Sequence, residues 1–305
     1  RVALTGARGE MGRTLRRQLT ARGHHVIAIV RRSLPIVEVA SSADELDAVA
    51  EVRVADLTSP EAVKGVLEGC DAVIHLAALP KPWETWENIL ANNYPTDFNL
   101  MQEAARAGCR RFVYASTNHV QHGASMRPSE NWSPESLNSA THGAHKNRIM
   151  TLSDDPDPDS WYAISKLNGE NLGRLFARQY GLDFVAVRIG WIVPENDPRE
   201  SSAVATADNK EYMRAMWLSH RDCDVVLHIA RECSRFLQEI FSRCVSGELP
   251  EDKRRGKGRF VTIYAVSNNT RRVFDLSSTS EILGYVPQDN VEDLVAMDWA
   301  AIGTQ

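Results

Sequence analysis

The sequence predicts an α/β protein, a doubly wound parallel sheet with a small C-terminal substrate lobe. Three observations predict it. Short β-branched runs alternate with longer amphipathic stretches through the first half of the chain, the pattern of successive βαβ units. A glycine-rich turn, "TGARGEMG", follows the first run and opens the first amphipathic stretch. The 305 residues are enough for one large domain plus a small lobe, and two independent halves are disfavoured.

The elements follow in order. Val2 to Thr5 is expected as the first strand, and Met11 to Ala21 as the first helix, with Met11, Leu15 and Leu19 four apart on one face. His25 to Val30 is a second strand, Val52 to Ala55 a third and Ala72 to Leu76 a fourth. A long helix runs from Trp86 to Ala107 and stops at Gly108. Arg111 to Ser116 is the fifth strand, Ser160 to Tyr180 a helix, and Phe184 to Ile189 the sixth strand. Six strands with intervening helices fit a Rossmann sheet, which binds ligands at the carboxyl ends of its strands. Residues 1–190 are therefore expected as the nucleotide-binding domain and residues 191–305 as the lobe, with "FVTIYAVS" as a strand of the latter. Residues 121–159, with the acidic run "DDPDPD", lack periodicity and read as an inserted loop.

Composition narrows the function classes. A net charge of −5 gives no global pull toward nucleic acid or anionic membrane. No apolar run approaches the roughly 20 residues of a membrane span, and the chain enters a strand without a signal-peptide pattern, so a cytoplasmic protein is expected. The cysteines, Cys70, Cys109, Cys223, Cys233 and Cys244, show neither C-x-x-C nor zinc-ligand spacing, and reduced structural thiols are expected.

The chemistry begins at the glycines. Gly6 allows a tight turn, Gly9 lets backbone approach a pyrophosphate, and Gly12 permits close packing of helix on sheet; the helix N-terminus supplies free N–H donors. Arg8 and Met11, interleaved with them, belong to the same expected cofactor contact. About 20 positions on, an acid would bond a ribose 2′-hydroxyl, whereas arginine favours a 2′-phosphate. Arg31 and Arg32 hold that place, so NADP is favoured over NAD. Asp56, beside Leu57, is expected either to accept from the adenine ring or to cap the helix starting near Ser59. "SWYAISK" places Tyr162 and Lys166 four apart on one helical face, where an ammonium can stabilise a phenolate that accepts a proton from an alcohol. Ser116 and Thr117, at the end of the fifth strand, offer hydroxyls to orient the substrate oxygen.

The spacing G-x-x-G-x-x-G, "HLAA" from His75 to Ala78, "ANN" from Ala91 to Asn93, the Ser/Thr pair and Y-x-x-x-K together resemble the extended short-chain dehydrogenase/reductase superfamily. Residues 1 to about 190 carry this likeness. "ASTNHV", "VRIG", "MWLSHRD" and the segment from Ala265 to Asp293 are similar to uronate dehydrogenases and related sugar C1 dehydrogenases. The resemblance implies Thr117 as the catalytic Ser/Thr, Tyr162 as the base, Lys166 as its ribose-bound partner and Asn93 as the structural asparagine of the proton relay. It implies substrate contacts at Asn118, His119 and Arg188, and cofactor contacts at Leu76, Ala77, Ala78 and Ile189. An Arg188 serving only its own sheet is the alternative.

The departures concern the substrate. Pro80 and Trp191 stand where the relatives have small serines in the sugar pocket, Arg31 replaces their acid, and the inserted loop is about twenty residues longer. They imply a substrate other than a plain hexuronate, or one held differently. Trp83 and Trp86 are expected either to stack on a sugar or nicotinamide, or to bury against the long loop. His142 and His145 make an H-x-x-H without a third ligand and read as polar loop, so no metal is expected. "KRRGKGR", Lys253 to Arg259, reads as a solvated basic turn.

The expected activity is oxidation of a sugar or sugar-acid hydroxyl by an NAD(P)-dependent enzyme, giving a lactone if the hydroxyl is at C1. A nucleotide-sugar epimerase or dehydratase, and a non-catalytic NADP sensor, are the alternatives. By analogy with the superfamily, the two long helices would pair a homodimer.

Overall fold

The structure, a computed structural model, describes residues 1–32, 49–123, 149–193, 196–199, 210–223, 258–283 and 286–294. Seven strands form one parallel sheet: β1 (Val2–Thr5), β2 (Val26–Val30), β3 (Glu51–Val54), β4 (Ala72–His75), β5 (Arg111–Thr117), β6 (Asp183–Ile189) and β7 (Phe260–Ala265). Their order, β3-β2-β1-β4-β5-β6-β7, reverses direction at β1, so the crevice between β1 and β4 is the topological switch point. The helices are α1 (Glu10–Ala21), α2 (Pro60–Val63), α3 (Trp86–Arg106), α4 (Trp161–Tyr180), α5 (Lys210–Ala215) and α6 (Ser277–Leu283). The doubly wound Rossmann class is thus the observed one. β7, placed by the sequence in the C-terminal lobe, instead pairs in parallel with β6 from Phe184↔Phe260 to Ile189↔Ala265 and extends the main sheet.

The central strands are apolar on both faces because both are covered, whereas edge strand β3, EVRV, leaves Val52 and Val54 exposed. Leu4, Ala28, Ile74, Val113, Val185 and Ile263 pack with Leu15 and Leu19 of α1 on one side. Ile27, Val73, Phe112, Tyr114 and Phe184 pack with Leu100 and Ala104 of α3 and Phe176 of α4 on the other. Smaller clusters gather Met150, Met216, Tyr264 and Phe274, and Val193, Trp217 and Val291.

Caps end the helices where the sequence changes. Thr85 accepts from Asn88 N ahead of α3, Ser160 from Ala163 N ahead of α4, and Gly181 closes α4 at φ 72°. Ser59, not Asp56, caps α2. The acidic run is held in place: Gln121 Nε2 donates to Thr151 O and Asp154 O, and Asp157 N donates to Val120 O. His142, His145, Cys233, Cys244 and most of the basic turn, residues 253–257, lie outside the described residues. Cys70, Cys109 and Cys223 are buried and form no disulfide. No helix among the described residues is long and apolar enough to cross a membrane.

Candidate active site

The glycine turn fits a dinucleotide. Gly6 sits at φ 66°, a conformation that favours glycine, and a Cβ there would touch Leu76 and Ala77 at 3.0 Å. A Cβ on Gly12 would press on Gly6 O at 2.2 Å and on Ala7 Cα at 2.7 Å, so the helix packs directly on the turn. At Gly9 the only neighbour of a Cβ would be Gly6 O, 3.3 Å away, and no side chain caps α1 there. The ground before the α1 N-terminus is therefore open to a pyrophosphate. Thr5 Oγ1 accepts from Leu76 N and Ala77 N, both at 3.1 Å, which locks the end of β1 to "HLAA".

The turn and the end of β2 are joined by arginines. Arg8 Nη1 donates to Arg32 O at 2.8 Å, while Arg31 lies 3.6 Å from Asp56 and donates to Asn92 Oδ1 at 3.3 Å. Asp56 Oδ1 accepts from Thr58 N and Thr58 Oγ1, and these bonds hold its carboxyl below the usual range. Leu57 is buried and its carbonyl accepts from Asn99; Met11 and Leu76 are half-buried against the core under β1.

Sequence reading missed the groups that hold this platform. Arg16, wholly buried on α1, donates to Ala7 O at 2.9 Å and braces the turn from behind. Its signal is a lone arginine four positions after Gly12 on the apolar face of α1. Beneath β4, Thr5 Oγ1 meets His75 Nδ1 at 2.7 Å, His75 Nε2 meets Asp97 Oδ1 at 3.0 Å, and Tyr114 donates to Asp97 Oδ2 at 2.5 Å. This buried chain ends under α4, where Lys166 Nζ lies 4.6 Å over the Tyr114 ring. Burial lowers the His75 pKa and raises that of Tyr114 well above its usual value.

Tyr162 and Lys166 share one buried face of α4. Burial pushes the Tyr162 phenol up to about 12, and the nearby Thr117 hydroxyl offsets it only in part. Burial also lowers the Lys166 pKa, and Asp97 opposes it. The Lys166 Nζ lies over the Tyr114 ring, and burial dominates the Tyr162 pKa. Asn93 fixes the helix pair: its Oδ1 accepts from Leu79 N at 2.8 Å and its Nδ2 donates to Ser165 Oγ at 3.0 Å.

Two expected contacts are spent on the protein itself. Side chains alternate along β5, so Ser116 falls on the Tyr114 side, under α4, and Thr117 does not. Ser116 donates to Glu170 Oε1 at 2.6 Å and is turned away from a substrate oxygen. Arg188, opposite Ser116 in the β5–β6 register, grips the same carboxylate through Nε at 2.9 Å and Nη2 at 2.8 Å, and donates from Nη1 to Gln121 at 2.8 Å. Burial lowers the Arg188 pKa, but the Glu170 bond and charge more than reverse it. Three of its N–H groups are thus engaged within the protein, the arrangement expected of an arginine serving its own sheet.

Asn118 is buried, its amide against His122 and Met216, and His119 is partly open with Nδ1 2.7 Å from Asp159. Ile189 is buried opposite Thr117 at the end of β6. Trp191 bridges to Trp217 and packs beside Met150 and Tyr264, and Pro80 is exposed after β4. Trp86 packs at 5.3 Å from Trp161, while Trp83 is 78% exposed and buries against nothing described.

The fold and this site define a Rossmann-type protein with a dinucleotide turn and a Tyr–Lys helix on the same edge of the sheet. The chain belongs to the NAD dependent epimerase/dehydratase family, whose profile matches residues 2–210. It is 31% identical to the L-arabinose 1-dehydrogenase (NAD(P)(+)) of Haloferax volcanii over 97% of this chain and 99% of that one. It is also 31% identical to a uronate dehydrogenase of Pseudomonas syringae pv. tomato, over 96% of this chain and 83% of the relative. A solved structure of a mutated uronate dehydrogenase superposes with a TM-score of 0.63 at 25% identity, covering 97% of this chain and 84% of that one.

Proposed function

We propose that this protein is an NAD(P)-dependent dehydrogenase that oxidises the C1 hydroxyl of a cyclic sugar or sugar acid to a lactone, using NADP in preference to NAD. The observation that carries the reading is the placement of Tyr162 and Lys166, one turn apart on a buried face of α4, beside Thr117 at the carboxyl end of β5. The activities of the two sequence relatives, an L-arabinose 1-dehydrogenase and a uronate dehydrogenase, support it.

The dinucleotide supplies the hydride acceptor when bound, and the residues that would hold it are Gly6, Gly9, Gly12, Arg8, Arg31, Asp56 and Lys166. Thr117 holds the reacting oxygen, and Tyr162, as phenolate, takes the hydroxyl proton while C1 loses its hydride; loss of both leaves the lactone carbonyl. Burial opposes ionisation of Tyr162; a bound oxidised dinucleotide would add positive charge there and, with Lys166, would favour the phenolate. Asn118 and His119 line the substrate side. Trp191 and Pro80 narrow it where relatives carry serine, in line with an aldose lacking a carboxylate. Arg8, Arg31 and Arg32, gathered at the end of β2, favour a 2′-phosphate.

A panel of aldoses, sugar phosphates and uronates with NAD and NADP separately, read by nicotinamide reduction, tests the reading. Tyr162→Phe is expected to lose about 10²- to 10⁴-fold in turnover while cofactor affinity holds. Near-normal turnover removes Tyr162 as the base, and turnover without net reduction points to an epimerase. The partly exposed Trp86, Leu90 and Phe98 on α3 and Trp161 on α4 support a homodimer through these helices, for which sedimentation of Trp161→Glu is the check.

A further inference from the structure

The other histidine of the β5 end has no part in the proposed proton transfer. His119 and His122 lie three apart on the 3₁₀ turn Asn118–Gln121 and its end. Three residues make one 3₁₀ turn, so the two imidazoles project from the same side, with ring centroids 4.0 Å apart. Asp159, just ahead of the α4 cap, reaches them from the opposite direction. Its Oδ2 lies 2.7 Å from His119 Nδ1 and 3.0 Å from His122 Nδ1, and its Oδ1 is held by Ser160 Oγ at 2.8 Å.

Three donor atoms of the right kinds therefore meet within 4.8 Å. Orienting one catalytic-side histidine would need one carboxylate and one imidazole; here a second imidazole is added to the same oxygen. Two imidazoles and a carboxylate form the ligand set of open zinc sites, and tetrahedral ligands at bonds of about 2.0–2.1 Å stand about 3.3 Å apart. The two carboxylate–imidazole distances, 2.7 and 3.0 Å, need open by only about 0.3–0.6 Å to admit an ion in place of the imidazole protons. Its surroundings suit that exchange. His122 is 4% exposed and its ring is fixed by Asn118 and Met216 at Nε2, whereas His119 and Asp159 are about a quarter exposed and leave a path for entry and a further ligand.

We infer that His119, His122 and Asp159 form a binding site for a divalent cation of the zinc class at the rim of the pocket beside Tyr162. The inference concerns binding alone and stands apart from the proposed sugar oxidation. H-x-x-H at 119 and 122 was legible in the sequence, but its third ligand comes from across the inserted loop.

The test uses the full chain freed of metal by chelation. Zinc uptake is measured by calorimetry and equilibrium dialysis, and cobalt is added for its visible bands. Wild type is expected to take up one more equivalent than His122→Ala or Asp159→Asn, to show the intense visible bands of tetrahedral cobalt, and to rise in Tm with zinc. Each variant is expected to lose at least tenfold in affinity at this site and those bands with it. Asp159→Asn, at a partly open position, carries the comparison should His122→Ala fail to fold. Equal zinc uptake and the same cobalt spectrum in wild type and variant overturn the assignment.

Discussion

Replacing Arg188 separates a structural role from the substrate contact that the sequence suggested. In Arg188→Met the long stem still fills its space, but Glu170 loses both guanidinium bonds and Gln121 loses its Nη1 donor. Ser116 then remains to donate to a carboxylate that is 5% exposed. Removing one member of a buried pair costs about 3–5 kcal/mol, because the other charge stays buried. The double variant Arg188→Met/Glu170→Leu buries neither charge and leaves the Ser116 hydroxyl to find a new partner, at about 1–3 kcal/mol, while Gln121 keeps Tyr264 as a donor. It is therefore expected to be no less stable than Arg188→Met, with a coupling of about 0.5–3 kcal/mol between the sites. Urea unfolding of the ligand-free protein measures all four corners of the cycle, and substrate KM is measured in parallel. Wild-type stability in Arg188→Met, with a raised KM alone, would refute the structural reading and return Arg188 to the pocket.

Further outcomes follow from the same geometry. Gly12→Ala, with backbone at 2.2 Å from the new methyl, is expected to destabilise the free protein by about 1–3 kcal/mol. Gly9→Ala should leave thermal stability nearly unchanged and abolish measurable cofactor binding in a fluorescence titration; normal binding would take the pyrophosphate off that turn. His75 stays neutral in its buried chain with Asp97 and near Lys166, so its folded pKa lies below the unfolded 6.5. The unfolded chain then binds the extra proton, and stability falls as pH drops through 6.5, by up to about 1.4 kcal/mol between pH 7.5 and 5.5. His75→Gln should remove that slope in urea titrations, and an unchanged slope would assign it elsewhere. Arg31 is exposed and only loosely paired with Asp56, which leaves it free for a ligand. Arg31→Asp is expected to weaken NADP at least tenfold and to spare NAD, read as the ratio of dissociation constants.

What was legible in the sequence depended on whether local chemistry or register decides the outcome. The strand–turn–helix at Gly6 to Gly12 is local: each glycine is needed by its own neighbours, so the turn, the helix and the switch point follow from a few residues. The same holds for Tyr162 and Lys166, whose spacing on α4 is set by helical geometry. Ser116 and Arg188 failed for a register reason. β5 and β6 pair with Ser116 opposite Arg188, and α4 lays Glu170 across both, a meeting of three segments that no one of them announces. β7 was displaced for a related reason, because a short apolar run joins whichever sheet edge is open, and the edge of β6 was open. The buried chain from Thr5 to Tyr114 was hidden in the same way, since His75 and Asp97 each look ordinary alone. That chain has a consequence for the chemistry. It places the Asp97 carboxylate near the buried Lys166 ammonium, where it favours the charged lysine against burial, and near Tyr162, where it disfavours the phenolate. Asp97 thus acts on both members of the proposed relay in opposite senses. Removing its charge by Asp97→Asn should ease ionisation of Tyr162 and weaken protonation of Lys166 together, a pairing that a merely structural aspartate would not produce.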